Sequence, residues 1–311
     1  MVVRCQQKPS GGARRPSAPE HEERHGSWGT VGATAARGTT VEPAHYGGSM
    51  EFRVLGSLSI RDNGEELIHT AGKPRQLLAL LLLNEPHRVS TSSLITELWD
   101  DTPPQRAMTT LQTHIFYLRK EFASKLGVTS GVIAHGLLQT RDGGYQINIC
   151  RNSFDLTEFQ RLRNRAQMLL HSGDTLDASR VLSEALGLWR GPALMDVEHG
   201  RLLRAAVAEL DESRLDTLTL FFGTQLELDR HREILSDLAR LVVRHPHHER
   251  LHARYMLALY RSGYRAQALK VFDELRRNML DELGMAPSAS IARLRQAIQV
   301  ADTAAVNGVC V

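Results

Sequence analysis

Arg106, Thr109, Thr110, Thr113, Phe116, Tyr117 and Lys120 recur at helical spacing and form the set of side chains best equipped to meet another molecule. Met108, Leu111, Ile115, Leu118 and Phe122 form an apolar stripe on the same helix. Turning about 100° per residue from that stripe puts the seven on the opposite face. A threonine can donate or accept at a base edge and pack its methyl on a thymine methyl, while arginine and lysine meet guanine or phosphate. Every amphipathic helix has a polar face, but Phe116 and Tyr117 on such a face call for a partner surface. Between residues 103 and 126, Arg106, Arg119, Lys120 and Lys125 face the single acid Glu121, which concentrates phosphate attraction locally. The chemistry expected of this face is base and phosphate contact in a DNA major groove.

Other spacings suggest chemistry without sustaining it. His21-Glu22-Glu23-Arg24-His25 matches HExxH, in which two histidines hold zinc, but it lies in a Gly/Pro-rich leader with no apolar helix to bury it. His245, His247, His248 and His252 cluster around Pro246 and read as an exposed turn between helices rather than a metal site. Cys5, Cys150 and Cys310 are far apart, with no CxxC pair, which excludes a disulfide framework and suits a reducing cytoplasm. No GxxxxGK[ST], no GxGxxG after a strand and no GxSxG is present, so no cofactor, metal or enzymatic activity is expected.

The elements that must position these residues begin after a long leader. At 311 residues and 42% hydrophobic content, the chain accommodates about two domains. Its 38 basic residues barely exceed its 35 acidic ones, so a basic footprint has to be local. Residues 1–49 are rich in Gly, Ala, Arg, Pro, Ser and Thr and read as disordered. Periodicity starts at Met50, which suggests a natural translation start there. No aliphatic run approaches the roughly 20 residues of a membrane span, and no secretory signal is evident.

Phe52, Val54, Leu58 and Ile60 alternate as in a half-buried strand, and Asp62-Asn63-Gly64 turns the chain into a second strand around Leu67 and Ile68. Pro74 introduces a buried helix over Leu77 to Leu83. Ser90 caps a second helix carrying Leu94, Ile95, Leu98 and Trp99. The third helix runs from about Gln105 to Leu126. Beyond Gly127, Val132-Ile133 and Leu137 to Thr140, the turn Arg141-Asp142-Gly143-Gly144, and Tyr145 to Ile149 read as a β-hairpin. Sheet, three helices and hairpin in this order make an α+β winged helix-turn-helix domain. Arg141, at the hairpin tip, is the expected minor-groove or backbone contact.

After Asn152 helical periodicity is continuous to about Ala301, an all-α domain. Gly173, Ala178 and Leu182 align with Asp229, Ile234 and Leu238, then with Gly263, Ala268 and Phe272. The last two copies are 34 residues apart, the tetratricopeptide period, and a long helix around Arg201 to Leu228 interrupts the series. The organisation expected is a disordered extension over 1–49, a winged helix over 50–150, a tetratricopeptide-like domain over 151–301 and a flexible tail over 302–311.

The string from Pro103 to Lys120, preceded by Leu98-Trp99, resembles the recognition-helix region of the Streptomyces antibiotic regulatory protein (SARP) family. Phe52 to Gly56, Lys73 to Leu82 and Gly143-Gly144-Tyr145 are similar to that family's first strand, first helix and wing. Phe154-Asp155-Leu156, Ala185 to Gly191 and Leu283 to Ser288 resemble landmarks of its bacterial transcriptional activation domain. The resemblance implies an OmpR-type winged helix and a cytoplasmic, nucleoid-associated activator of specialised-metabolite (antibiotic) gene clusters. It also implies binding to tandem direct repeats near promoters as a head-to-tail homodimer, and recruitment of RNA polymerase holoenzyme. It places a phosphate contact near Trp99, where a tryptophan sealing the helix junction is an equal reading. No receiver domain is read before the winged helix, so control by aspartyl phosphorylation is not expected, nor is the nucleotide-binding extension that longer family members carry. A different reading makes the chain a helical-repeat scaffold whose winged helix binds protein; sequence-dependent DNA retention separates the two.

Overall fold

The computed structural model describes residues 50–149, 153–302 and 306. The N-terminal extension with its His21 to His25 motif lies outside them, as do Cys5, Cys150 and Cys310. β1 (Met50–Arg53) and β2 (Ser59–Asp62) pair antiparallel with Phe52 opposite Ile60, both buried. Asn63 and Gly64 take φ of 49° and 86°, a two-residue turn that puts Glu65 directly opposite Asp62. The second strand, β3 (Glu65–Glu66), is shorter than expected; Leu67 N–H still donates to the Ile60 carbonyl at 2.8 Å, and Leu67 and Ile68 are buried just beyond it.

α1 (Lys73–Leu83) buries every residue from Gln76 to Leu82. β4 (Val89–Ser90) leads into α2 (Thr91–Trp99), where the Ser90 hydroxyl accepts from the Ser93 N–H at 3.0 Å. α3 (Ala107–Leu126) starts two residues later than expected, with Arg106 at its N-cap, and stops at Gly127, φ 64°. Val132 and Ile133 do not extend the hairpin. They lie in α4 (Ser130–Gly136), whose first turn is capped by Thr129, and only Ile133 of that helix is buried. The hairpin is β5 (Leu138–Arg141) and β6 (Gly144–Ile147), with β4 against β6 as a third strand. β7 (Ser153–Phe154) then returns to the first sheet, parallel to β1.

The rest of the described chain is helical: α5 (Asp155–His171), α6 (Thr175–Gly187), α7 (Arg201–Glu227), α8 (Leu235–Arg244), α9 (Glu249–Arg261), α10 (Arg265–Leu283) and α11 (Ala289–Val300). The aligned turn positions share one backbone solution. Gly173, Asp229 and Gly263 have φ of 80°, 55° and 87°. The next N–H in each case reaches back five residues: Asp174 to the Leu169 carbonyl, Arg230 to Gln225 and Tyr264 to Leu259, at 2.8–2.9 Å. These are Schellman closures, which need a left-handed residue at the turn. The paired apolar positions Ala178, Leu182, Ile234, Leu238, Ala268 and Phe272 are all buried.

Two cores result. One joins the winged helix to α5, α6 and the start of α7, and the other gathers the end of α7 with α8 to α11. Val306, within the segment expected to be a tail, is buried in the second. α7 spans both over 27 residues.

Three carboxylates fasten the winged helix to the helices. Asp155, at the start of α5, accepts from the N–H groups of Val54 and Leu55 at 2.9–3.1 Å and pairs with Arg190 at 2.9 Å. Burial pushes its carboxyl above the usual range, and the backbone bonds and Arg190 pull it back. Asp196 accepts from Leu58 N–H at 2.8 Å and from Arg75. Glu97 of α2, only 2% exposed, accepts from Gly200, Leu202 and Leu203 N–H groups at 2.7–3.1 Å and so caps α7. A buried charge is tolerated only with such compensation, here from unpaired helix-end donors and the positive end of the helix dipole. A Cβ at Gly200 would stand 2.1 Å from the Glu97 carbonyl oxygen, so only glycine admits this approach.

Candidate nucleic-acid interface

α3 packs Leu111, Ile115, Leu118 and Phe122 into the first core and leaves the other side bare. Thr109, Thr113, Phe116, Tyr117 and Lys120 are exposed along it, Arg106 stands exposed at its N-cap, and Thr110 is half-buried at the border. Phe116 and Tyr117 are each 56% exposed and meet edge to face, with centroids 6.0 Å apart. Water-facing aromatics of this size leave roughly 1 kcal/mol or more each to be gained by a covering surface.

Met108 departs from the expected core stripe. It lies about 60° from the stripe's centre when each residue turns 100°, and at the first turn of the helix it stays 43% exposed beside the outward face. Gln112 is exposed on that face as well. The exposure of Met108 comes from its place in the open first turn rather than from its angle, which Leu126 shares while packing on the core.

The threonines are partly committed. Thr113 Oγ1 donates to the Thr109 carbonyl at 2.9 Å and Thr110 Oγ1 to the Arg106 carbonyl at 3.1 Å. Their hydroxyl protons serve the helix, and what remains for a partner is methyl groups and acceptor lone pairs.

Arg119 is not part of the positive footprint. Its Nε donates to the Leu138 carbonyl at 2.9 Å, its guanidinium reaches Thr140 Oγ1 at 2.8 Å, and it lies over the Tyr145 ring. It bolts α3 to the strand that ends in Arg141. Arg141 itself is exposed, its Nε 3.3 Å from Gln146 Oε1. The hairpin tip is held from the other side, where Arg88 donates to the Asp142 carbonyl and Thr91 N–H to that of Gly143 at 3.0 Å. Gly144 passes so close to β4 that a Cβ would stand 2.1 Å from the Val89 carbonyl oxygen.

Beside Tyr117 and Lys120 a groove of about 560 Å³ is bounded by His69, Thr70, Pro74 and Lys125. His69 N–H donates to Glu121 at 2.9 Å, which occupies the one acid on this side of the helix. No local pattern marked His69, because a loop about fifty residues upstream delivers it. Trp99 is half-buried, with the Lys73 ammonium 5.4 Å from its ring centroid and apolar contacts to the first core.

The histidine cluster works within the helical domain. His248 Nδ1 accepts from Leu251 N–H at 3.2 Å as the cap of α9, and the His252 ring bonds the His248 carbonyl at 3.1 Å. Burial pushes both imidazoles below their ordinary pKa. Among the described residues no group of three His, Cys, Asp or Glu is placed to hold a metal ion, and no helix is long and apolar enough to cross a membrane.

Two family models match the chain: "Transcriptional regulatory protein, C terminal" over residues 64–146 and "Bacterial transcriptional activator domain" over 154–299. The chain is 40% identical over 253 residues to the regulatory protein DnrI of Streptomyces peucetius, covering 81% of this chain and 93% of that protein. It is 35% identical to the regulatory protein AfsR of Streptomyces coelicolor over 83% of its own length, but spans only 25% of that longer protein. Among solved structures, Mycobacterium tuberculosis EmbR in complex with a low affinity phosphopeptide has the same architecture, with a TM-score of 0.74 at 26% identity over 84% of this chain and 69% of that one. Phe154 to Leu156 and Ala185 to Gly191 lie at the junction, where Asp155 and Arg190 clasp the first strand's end. With an OmpR-type winged helix and a helical activation domain in that order, the chain belongs to the SARP family of transcriptional regulators.

Proposed function

We propose that the protein is a sequence-specific DNA-binding activator of a specialised-metabolite gene cluster, which binds tandem direct repeats near promoters and recruits RNA polymerase holoenzyme. Arg106, Thr109, Thr110, Thr113, Phe116, Tyr117 and Lys120 meet the major groove, Arg141 the minor groove or backbone, and Trp99 lies near the phosphates. The observation that carries this reading is the bare face of α3, with two aromatic rings more than half exposed between Arg106 and Lys120. Direct repeats place protomers head to tail, as a homodimer on DNA, one helical turn or a multiple of it apart. The protein then works in the cytoplasm, at the nucleoid.

Footprinting across the genome of origin, followed by insertion of half a helical turn between the repeats recovered, tests the proposal. Protected repeats whose cooperative occupancy disappears on insertion are expected. DNA retention without sequence dependence would instead favour a helical-repeat scaffold.

A further inference from the structure

On the reading of α3 as the DNA-contacting helix, we infer that its central outward face recognises the C5-methyl groups of thymine. Guanine is read by paired donors from arginine or lysine. The cations on this face are at its ends: Arg106 and Lys120 are fourteen residues apart, about 21 Å along a helix rising 1.5 Å per residue. Between them the outward residues are Thr109, Gln112, Thr113, Phe116 and Tyr117.

Thr113 cannot offer its proton to a base, because it donates to the Thr109 carbonyl at 2.9 Å; at the border Thr110 is bound likewise to Arg106. At Thr113 and Phe116 the face therefore meets DNA with methyls, ring edges and acceptors, and its donors are the Thr109 and Tyr117 hydroxyls and the Gln112 amide. The thymine methyl is the apolar group of the major-groove edge and has no counterpart on cytosine or guanine. Phe116 and Tyr117, with ring planes crossed at 62°, offer adjoining π surface against which a methyl can be desolvated. Gln112 adds the amide that pairs with adenine, the partner base in the same step. The cations at the two ends are left for flanking guanines or phosphates.

The experiment uses the full chain to select duplexes from a randomised pool. The enriched duplex is then resynthesised with deoxyuridine in place of each central thymine, which removes the methyl and keeps every hydrogen-bonding group. Binding is measured by fluorescence anisotropy for the parent, for Phe116→Ala and for Thr113→Ser, which keeps the hydroxyl and loses the methyl. The inference predicts a roughly fourfold loss of affinity per contacted methyl for the parent. It further predicts that the penalty shrinks toward onefold at the matching position in the variants. Equal affinity for thymine and uracil duplexes overturns the methyl reading while leaving DNA recognition intact. A uracil penalty unchanged in both variants overturns its assignment to this face. A pool in which no duplex is enriched overturns DNA recognition and, with it, the inference.

Discussion

On the proposed interface, Thr113 and Arg141 divide the work of recognition in a way that single substitutions can separate. Thr113 lies in the middle of the outward face with its hydroxyl bound to its own helix, whereas Arg141 is exposed on the hairpin tip with its Nε near Gln146 Oε1. Arg141→Ala should weaken binding to all duplexes alike and lower the salt slope by about one. Thr113→Ala should change which duplex is preferred. An unchanged salt slope in a titration of Arg141→Ala would remove that residue from the interface.

A second residue-scale expectation concerns histidine. His114, His248 and His252 all have imidazoles pushed below their ordinary pKa of 6.5, burial being the largest cause and Lys73 adding to it at His114. The unfolded chain therefore binds more protons than the folded one below pH 6.5, and stability is lost as the pH falls through that value. His248 is the direct case, because a protonated Nδ1 cannot accept from Leu251. His248→Asn keeps a cap that does not titrate. Its urea midpoint should fall less between pH 7.5 and 5.5 than the parent's, and an equal or steeper fall would contradict the capping role.

At the scale of elements, the Glu97 contact between α2 and α7 is the joint most open to test. Glu97→Ala leaves the N–H groups of Gly200, Leu202 and Leu203 without their acceptor in a buried setting, which should cost on the order of 3 kcal/mol in chemical denaturation. A change below about 0.5 kcal/mol would mean that the cap contributes little. Helix signals carried far in the sequence: Ser90 as a cap, Gly127 as a stop, and the turn-small-large series that marked Gly173, Asp229 and Gly263 with one backbone conformation. Elements fixed by distant partners were hidden. Val132-Ile133 has the β-branched pair of a strand, yet Thr129 caps a helix there. Ser153-Phe154 is two residues long and becomes a strand only because β1 offers an edge to pair with. Of the candidate face, Arg106 to Lys120 was legible from the helical period, whereas His69 and the binding of Arg119 to the wing depend on loops and strands the period does not see.

For the molecule as a whole, the winged helix is built into the helical domain. Its first strand ends with N–H groups of Val54, Leu55 and Leu58 satisfied by Asp155 and Asp196, and one apolar core runs through both parts. A fragment of residues 50–150 should therefore be less stable than the same residues in the full chain by several kcal/mol, on the order of 1.5–3 per lost carboxylate bond. Urea unfolding followed on hydrogen exchange of the winged-helix amides measures this; equal protection in fragment and full chain would contradict it. On the proposed DNA-binding face, this shared core links the orientation of α3 on DNA to where the helical domain stands on the promoter.

The central claim is that the outward face of α3 reads DNA sequence. Competition binding of the full chain, at moderate salt, to its selected duplex against a scrambled duplex of equal composition tests it most directly. The account predicts at least about a thousandfold preference for the selected duplex, reduced by about tenfold or more in Thr113→Ala combined with Phe116→Ala. Equal affinity of the parent for both duplexes, or a preference undiminished in the double variant, would contradict it.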